Sequence, residues 1–509
     1  MGVNLKDIQL DKDSHEPLYR QLASRLKERV IRGDLKNGDQ LPPGRALAAD
    51  LDVHRTTVSN AYELLEEEGI LHSHVGRGTF VLGEIGAYER KRENPEAEKN
   101  PMMWETLFAS DLAEDRLHSL LNIYRTGSAP GKKVSFIYAL PPANLFPVSE
   151  FKQCLNRALK KYGPVTLDVG DSAGFAPLLD YLVAQLPAGR AVTDDVVITN
   201  GCQQSISLIR KILVAPGDTV LVENPTYPGA LSVFNEREIR CIGIPVTESG
   251  IDLNTLEKIL TVQPAKLLYT IPNFQNPTGT TMPLLVRRRL LELSARFRLP
   301  IVEDDIYGDL RFAGKAIPSL KELDTNGSVI YLNGFSKTAF PGLRVGWVVA
   351  NRTVIARLRT ARQTMDLHTN VLAQAAMFEM LQSGMYDRHM KKIRKTYASK
   401  RNRTLNALKR HLPAEARWSE PEGGLSIWLT LPEGTDASSL LSLSAREGIS
   451  FSPGGLFYLN GSPNNSLRLA FSMTDTSAIE EGIRKLGNVI RQLPAAIGPE
   501  TRYSSTVLV

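Results

Sequence analysis

The chain has 509 residues, of which 42% are hydrophobic and 23% are charged, and its formal net charge is +6. This length allows two or three domains with a large core, and the mild positive charge does not by itself require a nucleic-acid partner. The three cysteines, Cys154, Cys202 and Cys241, have no metal-binding or redox spacing. Without a recognisable signal peptide or an apolar run of membrane-spanning length, we expect a cytoplasmic protein that binds no metal and no membrane.

The first 83 residues predict three helices followed by a hairpin. Apolar residues four apart form one stripe from Leu18 to Val30, and Gly33 ends this first helix. A second helix is expected at residues 45–51 and a third at about residues 55–68. Two short strands, at residues 70–73 and 79–82, complete the pattern of a winged helix-turn-helix.

This head resembles the GntR-type DNA-binding domain in four segments, Gly38–Arg45, His54–Val58, Glu67–Ile70 and Gly76–Val81. The resemblance implies that arginine and threonine side chains at the start of the third helix enter the major groove, while the wing lies near the minor groove. The DNA-binding residues that it implies are Arg45, Arg55, Thr56, Thr57, Gly76 and Arg77. A winged helix that binds a protein is the alternative.

Two features of the head depart from a simple DNA-binding surface. His54 stands where the family usually has a serine, so the helix cap is expected to differ or to depend on pH. Residues 1–83 hold 11 Lys and Arg but 13 Asp and Glu, a net charge of −2. The acidic cluster is expected to face away from DNA; it consists of Glu63, Glu66, Glu67 and Glu68. Binding would then rely on a few cations and on dimeric half-sites.

The composition changes near Gly83. Residues 84–101 are polar and charged, which is typical of a solvated linker, and a weaker amphipathic pattern follows at residues 107–121. We therefore predict a DNA-binding domain at residues 1–83, a linker at 84–133 and a larger domain at 134–509. From about residue 150 to 350, strand-like and helix-like segments alternate, as in a mostly parallel sheet covered by helices.

Lys337 follows a buried strand-like run at residues 329–332. A buried amine loses its proton more easily and then reacts with aldehydes. Seven residues later, Arg344 offers a planar guanidinium suited to a phosphate. This pair is what pyridoxal 5′-phosphate (PLP) requires, although a solvated lysine and an ion-paired arginine are the alternative.

Residues 134–495 resemble fold-type I PLP-dependent aminotransferases, with a large α/β/α domain and a small C-terminal α/β domain. The matching motifs include a strand-to-helix turn at Gly201, the sequence Asn-Pro-Thr-Gly from Asn276, and Asp304 three residues before a tyrosine. The resemblance implies that Lys337 is catalytic and that Arg468 binds a substrate carboxylate. The cofactor-binding residues that it implies are Gly201, Cys202, Gln203, Tyr227, Asn276, Asp304, Tyr307, Ser336, Lys337 and Arg344.

Three positions depart from the aminotransferase pattern. Gly334 stands where relatives commonly have a serine or threonine that binds the cofactor phosphate, and Val169 stands where a tyrosine from the neighbouring subunit usually reaches it. Ala139 replaces a glycine of the substrate loop. We expect PLP to bind through Arg344, Ser336 and a helix N-terminus, with slow turnover.

The combination of a GntR-type head and an aminotransferase-like body resembles the MocR subfamily of transcription regulators. The first hypothesis is a PLP-dependent homodimeric regulator that binds double-stranded operator DNA and senses a small amine, an amino acid or PLP. The second is a working amino acid aminotransferase that carries a DNA-binding head. The residues leave both open.

Overall fold

The computed structural model describes residues 5, 7–11, 14, 16–36, 38–67, 70–74, 78–81, 134–186, 193–235, 238–461 and 464–492. They form two compact units, one within residues 1–108 and one within residues 109–509. The predicted linker and amphipathic segment, and the wing residues Gly76 and Arg77, lie outside the described residues. Within those ranges, no helix is long and apolar enough to cross a membrane.

The head has three helices and a two-stranded antiparallel hairpin, as predicted. Its elements are α1 Leu18–Ile31, α2 Gly44–Asp50, α3 Arg55–Glu67, β1 Leu71–His74 and β2 Gly78–Val81. The stripe on α1 buries Leu22 and Leu26 against Val58 and Leu65 of α3. Each such side chain contributes about 1.5–3 kcal/mol when fully buried. The small core therefore fixes α3 and leaves the start of this helix at the surface.

An eight-stranded sheet forms the centre of the second unit, in the order β4-β11-β10-β9-β8-β5-β6-β7. The strands are β4 Val196–Thr199, β5 Thr219–Asn224, β6 Arg240–Thr247, β7 Gly250–Ile251, β8 Leu267–Thr270, β9 Ile301–Asp304, β10 Val329–Gly334 and β11 Gly346–Val349. In this order, each strand from β10 to β6 pairs in parallel with the next one. Strand β11 instead pairs antiparallel with both β10 and β4. The mostly parallel sheet predicted from the sequence is confirmed.

Helices cover this sheet and continue into the C-terminal part. They are α4 Val148–Tyr162, α5 Ala176–Ala184, α6 Cys202–Leu213, α7 Pro228–Phe234, α8 Leu253–Val262, α9 Leu284–Phe297, α10 Leu320–Leu323, α11 Arg352–Asp366, α12 Val371–Gln382, α13 Met385–His411, α14 Ala437–Arg446 and α15 Ile479–Gln492. Apolar side chains dominate β4, β8 and β11, which are buried along their whole length because both faces of the sheet are covered there.

A smaller sheet follows the long helix α13. It joins β12 Arg417–Trp418, β13 Ser426–Thr430, β16 Ser466–Ala470 and β15 Ser452–Pro453 in that order. Two further short strands, β3 Val134–Ser135 and β14 Ile449–Ser450, pair in parallel. The carboxyl ends of β4, β9 and β10 meet at one edge of the large sheet, where ligands bind in open α/β folds.

His54 takes the capping position before α3. Its Nδ1 atom lies 2.8 Å from Thr56 Oγ1 and accepts a hydrogen bond from the Thr56 backbone N–H at 3.4 Å. An imidazole nitrogen thus replaces the hydroxyl oxygen that usually caps this position.

Removal of this cap should loosen the start of α3. In His54→Ala we expect the α3 amide hydrogens to exchange about fivefold faster, the equivalent of ~1 kcal/mol of cap energy. His54→Ser, which keeps a short acceptor, is the control and should retain the protection. Mass spectrometry of hydrogen exchange measures both variants; equal exchange in both would contradict the capping role.

Candidate cofactor site and DNA-binding groove

Lys337 lies in the loop after β10, on the wall of a cavity. Its Nζ donates a hydrogen bond to the Ala139 carbonyl at 3.0 Å and lies 5.8 Å from the centre of the Tyr307 ring. Burial, and next the positive charge of Arg468, lower the pKa of this amine to about 8. A substantial neutral fraction therefore exists near neutral pH, as the sequence predicts for a lysine that reacts with aldehydes.

Asp304 ends β9 and is 3% exposed. Its carboxylate accepts a hydrogen bond from the Tyr269 hydroxyl at 2.7 Å and another from the Ile306 backbone N–H at 3.3 Å. Burial raises the pKa of Asp304, while both hydrogen bonds act in the opposite direction. A buried carboxylate with a defined orientation suits a cationic ring nitrogen.

Arg344 and the start of α6 form a cradle for an anion. Arg344 donates to the Asn200 carbonyl at 2.8 Å and to Ser336 Oγ at 3.3 Å. Helix α6 begins after Gly201, which has φ +87° and offers no side-chain cap. Helix N-termini carry unpaired N–H groups and a partial positive charge, so this corner suits a phosphate.

Gln203 and Tyr227 flank the cradle. Gln203 donates through Nε2 to the Gly229 carbonyl at 2.8 Å, whereas its buried Oε1 finds no hydrogen-bond partner in the part of the chain that the structure describes. Tyr227 passes so close to Gly229 that a Cβ there would lie 2.5 Å from the ring. The glycine gives the aromatic ring the space to lie over the cavity.

Arg468 and Asn276 lie opposite the cradle. Arg468 donates through Nη1 to Asn276 Oδ1 at 2.9 Å and through Nη2 to the Ile137 carbonyl at 2.8 Å. Its Nε atom is buried without a partner in the described structure, and its guanidinium lies 4.9 Å from the centre of the Phe457 ring. A carboxylate could therefore satisfy an existing donor.

One cavity of about 280 Å³ brings these side chains together. The predicted residues that line it are Cys202, Gln203, Tyr227, Asn276, Asp304, Tyr307, Ser336, Lys337, Arg344 and Arg468. Gly201 lies directly behind Arg344. Five further lining residues had no role predicted from the sequence: Tyr138, Leu140, Ile271, Ile306 and Pro341. Among the described residues, no cluster of three potential ligands could hold a metal ion.

The donor set fits PLP. A partly neutral lysine, a buried carboxylate and a cationic cradle for a phosphate surround the same cavity, and the orphaned Gln203 Oε1 and Arg468 Nε leave polar atoms for a ligand to satisfy. When bound, PLP supplies an aldehyde that amines attack and a ring that withdraws electrons. The chain's own residues would orient the cofactor: Arg344 at its phosphate and Asp304 at its ring nitrogen.

Sequence reasoning missed two buried groups that position the site. Tyr269 holds Asp304, as described above. Glu223 accepts hydrogen bonds from Thr270 Oγ1, from the Ile271 N–H at 3.1 Å and from Gln275 Nε2 at 3.1 Å, and so fixes the loop before Asn276. Burial raises the pKa of Glu223 to about 7. The available signal was a polar residue inside an otherwise apolar strand, because such residues usually have a buried partner.

The three residues that depart from the aminotransferase pattern differ in their surroundings. A Cβ at Gly334 would lie 3.1 Å from both the Gly346 Cα and the Val345 carbonyl oxygen, so a serine or threonine would crowd β11. Ala139 is the residue whose carbonyl accepts from Lys337. Val169 is 76% exposed.

The head has a groove of about 410 Å³ between α2, α3 and β2. Arg45 and Arg55 line it, and Thr56 lies exposed beside Arg55, while Thr57 is half-buried. Glu63 and Glu66 line the same groove. The sequence predicts that the acidic cluster faces away from DNA, but Glu63 and Glu66 lie on the side of α3 that carries Arg55, about two and three turns further along the helix.

Comparison with known families defines the class of protein. Residues 177–486 match the model of aminotransferase class I and II, and residues 18–81 match bacterial regulatory proteins of the gntR family. The chain thus belongs to the class I and II aminotransferase family and carries a gntR-family head. The "2-aminoadipate transaminase" of Thermus thermophilus is 37% identical over 400 residues, which cover 78% of this chain and 100% of that protein.

A relative that matches both the head and the body narrows the assignment of the chain to a protein class. The uncharacterized HTH-type transcriptional regulator YisV of Bacillus subtilis is 29% identical, and the match covers 96% of this chain and 99% of that protein. A crystal structure of LysN, the α-aminoadipate aminotransferase of Thermus thermophilus in complex with N-(5′-phosphopyridoxyl)-L-leucine, has a TM-score of 0.71 at 36% identity, with 77% of this chain and 98% of that one covered. The chain shares with the regulator YisV the arrangement of a gntR-family head followed by a class I and II aminotransferase body, which is the arrangement of the MocR subfamily.

The lowered pKa of Lys337 predicts how the cofactor-free protein reacts with PLP. Attachment should require the neutral amine, so its rate should rise with pH and reach half of its maximum at about pH 8. In Arg468→Gln the midpoint should move upward because one neighbouring cation is lost. The measurement is the mass of the borohydride-treated protein at each pH, with Lys337→Ala as the control. A midpoint near the ordinary lysine value in the unmodified chain would disprove the shift.

Proposed function

We propose that the protein is a PLP-dependent, DNA-binding transcription regulator whose aminotransferase-like body senses a small amine, an amino acid or PLP itself. The observation that carries this proposal is that one chain holds both an arginine-lined groove in a winged helix-turn-helix and a cavity with Lys337 and Arg468. The domain limits proposed for it are residues 1–83 for the head and 134–509 for the body, joined by residues 84–133.

Operator recognition is assigned to the start of α3 and to the preceding turn. Arg45 and Arg55 are exposed, and Thr56 and Thr57 follow at the first turn of α3, from which side chains reach the floor of a major groove. Gly76 and Arg77 complete the proposed surface through the wing. Because Glu63 and Glu66 border the groove, the arginines must supply most of the attraction to DNA.

Replacement of either arginine should weaken operator binding. We expect Arg45→Ala and Arg55→Ala each to cost about 1–3 kcal/mol, the usual worth of a bidentate contact to a base. Arg25→Ala is the matched control, since Arg25 is exposed on α1 and paired with Glu28 at 3.2 Å. Gel retardation with the protein's own upstream region measures all three. Unchanged affinity in both groove variants would remove the proposed DNA-binding surface.

We also propose that the body forms a homodimer through an apolar patch beside the cofactor site. The patch consists of Val165, Leu167, Val169, Met365 and Leu367, which are 48–76% exposed. These residues belong to two segments, 165–169 and 365–367, which meet where Gly170 lies against Val371 and His368. Helix α11, which carries the patch residue Met365, reaches the start of α6 through Asp366, whose carboxylate accepts hydrogen bonds from Asn200 and Gln204. Exposed apolar patches of this kind mark protein interfaces.

A charge in this patch should dissociate the dimer. Val169→Glu combined with Leu167→Asp should sediment as a monomer because burial of two unpaired carboxylates opposes association. Val262→Asp changes a more exposed residue, at 86%, outside the patch and is the control. Analytical ultracentrifugation at micromolar concentration decides the question; a cofactor-loaded unmodified chain that is monomeric would refute the proposal.

Effector sensing is assigned to Lys337 and Arg468. Both have protein partners that a ligand would replace: a ligand carboxylate would compete with Asn276 for Arg468, and a ligand amine would displace Lys337 from the Ala139 carbonyl. Each exchange alters a contact between segments far apart in the chain. Such a ligand changes DNA affinity only if it binds two conformations of the body with different affinities.

Two substitutions should separate these contacts. Lys337→Ala should still bind the operator but lose its response to amines, whereas Arg468→Ala should lose the response to carboxylate-bearing ligands only. The measurement is operator affinity with a panel of L-amino acids and with the amines derived from them by decarboxylation. Coupling of this kind typically changes affinity by about 5–150-fold. A full response in Lys337→Ala would exclude the proposed sensing mechanism.

A working amino acid aminotransferase is the second candidate. The observation in its favour is that Lys337, Asp304, Asn276, Tyr307 and Arg468 all line one cavity. Steady-state turnover with an amino acid and 2-oxoglutarate, measured beside operator binding, distinguishes the two. Fast transamination would favour the enzyme, and slow turnover with tight operator binding would favour the regulator.

A further inference from the structure

The long helix α13, Met385–His411, concentrates positive charge. It carries ten Lys and Arg residues and a single acidic residue, Asp387. Four of the cations lie within two turns at its start, namely Arg388, Lys391, Lys392 and Lys395, and all four side chains are exposed. Residues three and four apart face the same side of a helix, so they form one stripe about 10 Å long.

The cations of this stripe lack the ion pairs that their counterparts have later in the same helix. Lys409 pairs with Glu420 at 3.2 Å and Arg410 with Glu480 at 3.0 Å. In the described part of the chain, none of the four stripe cations has an acidic partner within 4.0 Å. Their charges repel one another, so the arrangement is one that an external anion would stabilise.

A groove of about 680 Å³ runs along the stripe, between α13 and residues 308–317. Arg311, Lys391, Arg394 and Lys395 line it, with Asp309 as the acidic residue. Two of these cations are held in place, because Arg394 donates to the Asp309 carbonyl at 2.7 Å and Arg311 pairs with Glu422 at 2.5 Å. Among the described residues, the buried Nη2 of Arg311 has no hydrogen-bond partner. The groove therefore offers fixed donors beside exposed lysines.

In the chain as a whole, too, the excess of positive charge lies in the body and not in the head. Residues 1–83 hold 11 Lys and Arg against 13 Asp and Glu, whereas residues 84–509 hold 50 against 42. The part with the DNA-binding groove is thus slightly acidic, and the excess of positive charge lies in the body. Because phosphate neutralisation supplies most of the non-specific affinity for DNA, a head of this kind gains little from it.

We propose that the stripe and groove of α13 bind the phosphate backbone of DNA that flanks the operator. This inference rests on the proposed function and adds a second contact region to it. A row of exposed cations on one helix face matches a polyanion, which presents many charges along a line, better than a single small anion. Lysines and arginines so placed position DNA without reading its sequence.

The test compares long and short operators at several salt concentrations. The plot of log affinity against log salt has a negative slope. In the variant with Lys391→Gln, Lys392→Gln and Lys395→Gln, the magnitude of this slope should decrease by about 2–3, since each lost phosphate contact removes about 0.9. The change should appear only on an operator with flanking DNA on both sides. The control removes the same charge from exposed residues that have no ion pair among the described residues: Lys258→Gln, Arg288→Gln and Arg446→Gln.

Each other outcome has a defined meaning. Equal slopes for the variant and the unmodified protein on long DNA, or an equal loss on both lengths and in the control, would overturn the proposal. The proposal would also be overturned, in favour of a small-anion site, if inorganic pyrophosphate protected Lys391 and Lys395 from acetylation and long DNA did not. Failure of the unmodified protein to bind any operator would instead refute the proposed function.

Discussion

The close contact between β11 and the start of α6 is the constraint on which the cofactor site depends. A Cβ at Gly346 would lie 2.7 Å from the Gly201 Cα, and a Cβ at Gly201 would lie 2.6 Å from Arg344 Nη2. Only without these side chains can the strand approach the helix N-terminus and let Arg344 reach the Asn200 carbonyl. The same approach accounts for Gly334, which faces Gly346 across the β10–β11 pair. The loss of a hydroxyl donor there is therefore coupled to the packing of the sheet.

Burial and charge together set the chemistry of the cavity. Desolvation raises the pKa of Asp304 and lowers that of Lys337, so each group is shifted toward its neutral form. Behind Asp304, burial also raises the pKa values of Glu303 and Asp305, and the buried guanidinium of Arg287 partly offsets this effect. A ligand that adds or removes one charge in such surroundings changes the protonation of its neighbours, which is a direct way to convert binding into a structural response.

The sequence predicted what depends on local pattern and left out what depends on distant pairing. The apolar run at residues 329–332 located β10, and the strand-to-helix turn at Gly201 located the end of β4; the edge that these strands share with β9 brings the motif residues together. The Tyr269–Asp304 hydrogen bond links β8 to β9, and the Glu223–Gln275 hydrogen bond links β5 to the loop after β8; no single segment reveals either pairing. The position of the acidic residues on α3 was not predicted for a related reason, since composition gives the charge of these residues but not the face of the helix that they occupy.

The charge balance between the two parts has a thermodynamic consequence for regulation. Coupling between a ligand site and a DNA site is typically worth 1–3 kcal/mol. A head that bound DNA through many phosphate contacts would hold it with an affinity that so small a change could not release at ordinary salt. The groove of this head mixes Arg45 and Arg55 with Glu63 and Glu66, which limits the non-specific part of the binding energy. Within the head, specific contacts then form a larger share of the binding energy, so under the proposed function a modest shift in the body would alter occupancy of the operator.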